Sequence, residues 1–137
     1  MTVRVVGGRK VLKKIMEDFL HELYRYNSIV KRYGYYLKPY HMVTYRSSSN
    51  VKRYYYYGRY WYKVRYTGKK GKTSLVKWEY VGRTKPLQQL PDPPKHPLEN
   101  TVFLVEGDDV LLRDEDYLRL KEYFRGLRVI VEPDKKI

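Results

Sequence analysis

The stretch Val51–Gly82, VKRYYYYGRYWYKVRYTGKKGKTSLVKWEYVG, decides the fold. From Arg59 onward its residues alternate with a period of two. Tyr60, Tyr62, Val64 and Tyr66 fall on one side, with Arg59, Trp61, Lys63 and Arg65 on the other. After Gly68-Lys69-Lys70-Gly71-Lys72 the alternation resumes, with Val76, Trp78 and Tyr80 opposite Leu75, Lys77, Glu79 and Val81. Two β-branched and aromatic runs joined by a short Gly-containing segment predict a β-hairpin. The runs Val51–Tyr57 and Arg59–Thr67 are strand-like, and Gly58 between them marks a bulge or a tight turn. Half-buried antiparallel pairing sends one side of such a strand to the core. Placing Arg59, Trp61, Lys63 and Arg65 on the exposed side yields a basic ribbon narrow enough for a DNA major groove. Tyr54–Tyr57 cannot all be core, because alternation sends two to each side, and the sequence leaves open which pair faces out.

Upstream, Arg9–Tyr33 carries Leu12, Ile15, Met16, Phe19, Leu20, Leu23, Tyr26 and Val30 at three- and four-residue steps. This pattern predicts an amphipathic helix, with Gly34 where a C-terminal cap belongs. Thr2–Val6 reads as a short strand before Gly7-Gly8, and Tyr35–Tyr45 as extended or irregular chain broken by Pro39. Downstream, Thr101–Glu106, Val110–Leu112, a helix from Asp114 to Phe124 and Leu127–Val131 read as a β-β-α-β unit. Asp114 is its expected helix cap, with Glu115 and Asp116 in the first turn. Between these parts Pro86–Leu98 holds five of the seven prolines, which predicts a stiff connector. The expected organisation is therefore a basic aromatic lobe (1–85), a Pro-rich linker (86–98) and an acidic β-β-α-β lobe (99–137). The expected class is α+β, an N-terminal helix packed on an antiparallel Tyr-rich sheet.

Charge is distributed as unevenly as the prolines. The chain of 137 residues carries +14, with +17 in residues 1–86 and −3 in the remainder. Glu79 is the only carboxylate between Tyr24 and Pro86, and fourteen of the seventeen tyrosines lie between Tyr24 and Tyr66. Such a density of positive charge calls for a polyanion, and interleaved aromatics supply faces for bases or sugars. The expected partner is nucleic acid, DNA ahead of RNA. Arg53, Tyr55, Tyr57, Arg59, Trp61, Lys63, Arg65, Lys69, Lys70, Lys72 and Lys77 are the candidate contacts. The plainer reading is a solvated hairpin in a highly charged protein, with tyrosine standing in for Phe and Leu in a small sheet. RNA or ribosome association is a second expectation; self-assembly through Tyr-rich strands is a third, of another class. The C-terminal lobe is a candidate surface for a homodimer or a protein partner.

Several chemistries drop out. With no cysteine, disulfides, thiolate metal sites and Cys nucleophiles are excluded. His21, His41 and His96 stand at no metal-ligand spacing, and His21-Glu22 is followed by Arg25 where a zincin helix needs His. Val5-Val6-Gly7-Gly8-Arg9-Lys10 lacks P-loop spacing and reads as a strand-to-helix turn. No cofactor is expected. The absence of a long apolar run and of a signal-peptide core predicts a cytoplasmic protein without a membrane partner. Absent Ala, scarce Asn and Gln, and abundant Lys, Arg and Glu lean toward a thermophilic source.

Two resemblances accompany this reading. Gly58–Tyr66 (GRYWYKVRY), Gly71-Lys72 and Trp78–Gly82 (WEYVG) resemble a Tyr-rich hairpin module of uncharacterised archaeal proteins. They are also loosely similar to the three-stranded arm-type DNA-binding domains of integrases. That resemblance covers about 30 residues and implies DNA binding without strand-transfer chemistry, since the integrase catalytic constellation has no counterpart. Glu106, Asp108, Asp109, Asp114, Glu115 and Asp116 form an acidic cluster of the kind that can hold Mg²⁺, and Val102–Gly107 (VFLVEG) superficially resembles the first motif of Toprim enzymes, a strand ending in Glu-Gly. Those enzymes carry a later strand ending in Asp-x-Asp, where this chain offers only Asp134. The expectation is a non-catalytic protein, its acids serving turns and caps.

Overall fold

The computed structural model describes residues 1–133, 135 and 137. Asp134, the residue weighed against the Toprim pattern, lies outside the described residues. The chain is α+β. Strand β1 (Thr2–Val5) leads into helix α1 (Gly8–Val30), which ends in a 3₁₀ turn, Lys31–Tyr33. Strands β2 (Tyr35–Arg46), β3 (Val51–Lys70) and β4 (Thr73–Gly82) follow. After the Pro-rich stretch come β5 (Thr101–Glu106), β6 (Asp109–Arg113), helix α2 (Asp114–Leu120), a 3₁₀ turn Lys121–Phe124 and β7 (Val129–Glu132). Gly34 adopts φ 83°, the left-handed conformation that ends a helix at the cost only glycine avoids.

All seven strands belong to one sheet in the order β2-β3-β5-β6-β1-β7, with β4 also pairing β3. The 20-residue β3 organises it. One edge of β3 pairs with β2 along Val51–Lys63; the other pairs with β5 over Arg53–Tyr57 and with β4 over Trp61–Lys70. Beyond Lys63 the β3–β4 pair continues as a two-stranded ribbon to its tip. Gly58 is thus neither a turn nor the end of a strand. It lies where the β2–β3 register shifts, with Lys38 opposite Tyr60 but Tyr40 opposite Tyr57. Pro39, which has no N–H to give to the ladder, sits at that shift. Tyr35–Tyr45 is accordingly a strand, and its proline marks a bulge at the sheet edge.

The expected division into lobes gives way to a single core. The N-terminal β1 lies between β6 and β7, and β5 pairs directly with β3. The apolar stripe of α1 packs on one face of the sheet in a cluster that includes Trp61, Phe103, Leu112 and Phe124. The proline-rich stretch belongs to this core: Leu90 and Leu98 are buried in it. Buried His96 holds the stretch against the sheet, its Nε2–H donating to the Pro39 carbonyl (2.8 Å) and its Nδ1 accepting from the Leu98 N–H (3.1 Å). Tyr26, pushed up to about 12 chiefly by burial, donates its hydroxyl hydrogen to the Pro91 carbonyl (2.6 Å). Polyproline stiffness serves here to lay a strap across the core rather than to space two bodies.

The acidic residues of the C-terminal part are largely spoken for. Arg4 of β1 is ringed by Glu132, Asp109 (3.0 Å) and Glu106 (3.4 Å), and Lys135 adds a second cation on Glu106 (2.6 Å). Hydrogen bonding to Glu132 raises the Arg4 pKa against the opposing effect of burial. Burial pushes the Glu106 carboxyl up, but hydrogen bonds and charge from Lys135 and Arg4 outweigh it and leave its pKa below the ordinary value. Asp109 also accepts from the Gly7 N–H (2.9 Å), and the Asp108 carbonyl from the Arg9 N–H (3.1 Å). The start of α1 is thus tied to the β5–β6 connection through the Gly7 and Arg9 N–H groups, two of the donors a helix N-terminus leaves open. Asp114, expected as the cap, is instead the first residue of α2: Arg113 is the N-cap residue with no side-chain cap bond, and the Asp114 carboxylate accepts only from the adjacent Glu115 N–H (2.9 Å). Among the described residues no cluster of three or more His, Asp or Glu is arranged to hold a metal ion. No helix among them is long and apolar enough to cross a membrane.

Candidate nucleic-acid interface

Alternation along β3 sends Tyr55, Tyr57 and Trp61 toward α1 and Tyr54, Tyr56, Tyr60 and Tyr62 to the opposite face. Aromatic contacts trace both sets. Toward α1, Tyr57 meets Phe103 edge-on (5.7 Å) and Trp61 meets Tyr26 (6.0 Å). On the open face, His41 touches Tyr56 and Tyr60, and Tyr80 touches Tyr60 and Tyr62. Trp78 then meets Tyr62 (6.0 Å) and Tyr36 (4.9 Å). Neighbouring rings are 4.9–6.3 Å apart, tilted or edge-on, and so form a continuous tiling across β2, β3 and β4.

Two cations are set into this tiling. Lys38 Nζ sits 4.7 Å from the centroid of Tyr62 and 5.1 Å from that of Trp78, and Arg83 lies 5.0 Å over Tyr60. Cation–π attraction holds them against the rings while leaving donors to spare. Gly58 makes room for Arg83: a Cβ there would meet the Arg83 guanidinium well inside contact distance. Arg83 also donates to the Asn100 side-chain oxygen Oδ1 (3.0 Å). Burial raises the Tyr60 pKa, with the Arg83 charge pulling the other way. The carboxylate of β4, Glu79, is on the other side of the ribbon, where it pairs with Arg65 (3.4 Å). The face is thus aromatic and cationic, with no carboxylate on it among the described residues of β2–β4.

The structure redistributes the expected contact residues. Trp61, expected on the exposed side, is fully buried (0% exposed), because the apolar stripe of α1 covers that side of β3. Tyr57 is buried against Phe103 and His96, and desolvation raises its pKa. Tyr55 is half-buried between Tyr40 and Tyr57. The outward pair of the tyrosine run is therefore Tyr54 and Tyr56. Arg59 is half-buried and reaches Glu99 (3.7 Å), so it is held by the end of the proline-rich strap rather than presented to solvent. Arg53 is half-buried opposite Thr44 and Val105.

Lys63, Arg65 and Lys77 share the opposite side of the ribbon with Glu79, where α1 no longer covers it. Lys69, Lys70 and Lys72 are exposed at the tip. Sequence reasoning missed Lys38, Arg83, Tyr36 and the role of Trp78. The signal was present: Trp78 and Tyr80 share a side of the return strand, as do Tyr60 and Tyr62 of the strand it pairs with.

The fold and this surface define an α+β protein with a helix-backed antiparallel sheet and an open aromatic, cationic face. Comparison with protein-family models, with curated proteins and with solved structures finds no match to the chain.

Proposed function

We propose that the protein binds nucleic acid without catalysis, laying an unpaired segment across the open face of β2–β4 while the ribbon lysines hold phosphates. The observation that carries this reading is the tiling itself: Tyr36, Tyr56, Tyr60, Tyr62, Trp78 and Tyr80, set with Lys38 and Arg83 and free of carboxylates among the described residues. Base–aromatic stacking tolerates any sequence, because every base has a π-face, and cations among the rings neutralise the backbone. A three-stranded face with its side chains is broader than the roughly 12 Å major groove, so the face suits unpaired bases better than duplex. The β3–β4 ribbon is narrow enough to follow a flanking duplex, and its exposed Lys69, Lys70 and Lys72 are placed to meet phosphates. DNA is the preferred partner. Unpaired loops of folded RNA present the same faces and are the second reading.

Titration against single-stranded DNA, duplex DNA and structured RNA at two salt concentrations tests this. Single-stranded DNA is expected to bind most tightly, with affinity falling steeply as salt rises. Replacing Lys69, Lys70 and Lys72 with Ala is expected to flatten that salt dependence by about two to three units of slope, at roughly 0.7–0.9 per phosphate contact. Preference for structured RNA would move the reading to RNA, and failure of all three to bind at moderate salt would end it.

A further inference from the structure

Between the edge strand β2 and the C-terminal half of α1 lies a cleft of about 560 Å³, lined by Leu20 and Tyr24 of the helix and by Tyr36, Lys38, Met42 and Tyr62 of the sheet. Its volume lies within the roughly 300–1,000 Å³ of small-molecule sites, enough for one nucleotide rather than a length of strand. The cleft exists because β2 is the sheet edge and the register shifts at Pro39, so the chain there does not close against the helix. Asn27 pins its inner end, with both amide groups bonded to the Leu37 backbone (2.9 and 3.0 Å). Tyr24, Leu20 and Met42 at its mouth are exposed, Tyr24 by 79%.

Resting on the functional reading above, we infer that this cleft receives one nucleobase of the same unpaired strand, turned over the β2 edge from the aromatic face. Three observations select that occupant. Tyr36, Lys38 and Tyr62 belong both to the cleft and to the open face, so a strand crossing the face reaches the cleft without leaving the rings. No carboxylate lines it among the described residues, while Lys38 stands at the rim toward the face and Lys31 lines an adjoining recess that shares Tyr24 and Tyr36. The polyanion therefore meets a cation on either side of the base. Of the other polar groups in the lining, the Asn27 amide is bonded to Leu37 and the His41 imidazole is itself a flat ring; the rest is aromatic and aliphatic, which fits a flat heterocycle that stacks on Tyr24 or Tyr36.

The test uses the full chain and a single-stranded 12-mer of thymidine carrying one 2-aminopurine, together with free adenosine monophosphate. Tyr24→Ala alters an exposed side chain, and a thermal melt checks that it folds. The cleft predicts that Tyr24→Ala weakens the 12-mer by roughly fivefold or more, in line with the stacking energies measured for single bases. It also predicts that the change in 2-aminopurine emission on binding is smaller in the variant. If the wild type binds the 12-mer and Tyr24→Ala binds it within twofold, with the same emission change, the cleft inference is overturned and the open-face reading stands. If the wild type does not bind the 12-mer at all, the functional reading falls and takes the cleft with it. If adenosine monophosphate alone binds as tightly as the 12-mer, the cleft is a free-nucleotide site, and a strand-borne base is refuted.

Discussion

The chain contains two tryptophans, and the structure places them in opposite environments. Trp61 is fully buried against Tyr26, whereas Trp78 is 42% exposed on the open face. Trp61→Ala removes the largest side chain in the core, a change that costs about 3–5 kcal/mol in well-packed interiors. For 137 residues the unfolding entropy is about 290 cal/mol/K, so the expected fall in melting temperature is about 10–17 °C. Trp78→Ala loses only its edge contacts with Tyr36 and Tyr62 and the Lys38 cation, about 1–2 kcal/mol and roughly 3–7 °C.

The order reverses for binding. A stacked base is worth about 1–3 kcal/mol, so Trp78→Ala should weaken single-stranded DNA by roughly 5- to 150-fold. Fluorescence separates the two residues directly. In Trp61→Phe the remaining indole, Trp78, should be quenched on adding a single-stranded oligonucleotide. In Trp78→Phe the remaining indole, Trp61, should be left unchanged. A Trp61→Ala protein that melts within 3 °C of the wild type would refute the packing argument. Trp78→Ala binding within twofold of the wild type would refute the open face as the interface.

Two further outcomes follow from groups inside the fold. The His96 pKa is lowered chiefly by burial, so between that value and the ordinary 6.5 the unfolded chain binds more protons than the folded one. Stability is then fully present above about pH 6.5 and falls as pH drops below it; urea midpoints at pH 7.5, 6.5 and 5.5 should decline over the lower interval, and less so in His96→Gln. Arg4→Met leaves Asp109 without its cation and Glu106 and Glu132 with Lys135 alone in a mostly buried site, which should cost about 3 kcal/mol at pH 7. A loss below 1 kcal/mol at pH 7 by thermal melting would contradict the hub.

Much of the fold was legible because local signals agreed with the global one. The helix stripe from Leu12 to Val30, the Gly34 cap, the hairpin tip at Gly68–Lys72 and the β-β-α-β order all appear where the periodicities put them. Two things were not legible. The pairing of β1 with β6 and β7 and of β3 with β5 joins segments roughly 50 to 130 residues apart, and neither periodicity nor composition records which edges meet. The buried side of β3 was also hidden, because both sides carry aromatic residues. Charge pointed to the Arg59–Arg65 side as solvent-exposed, but α1 covers only its first half: Trp61 lies beneath the helix, and Lys63 and Arg65 lie beyond it. A side that changes from buried to exposed along one strand defeats any inference that treats the strand as a unit.

The distribution of charge follows from the same geometry. Most of the described carboxylates behind the net −3 of residues 87–137 are paired. Glu106, Asp109 and Glu132 are held around Arg4, and Asp116, Glu122, Asp92 and Glu99 each pair with a nearby cation. On the proposed reading, the cations on β2–β4 and the ribbon meet phosphates while the aromatic tiling meets exposed π-faces, a pairing that an acidic protein would not use in full.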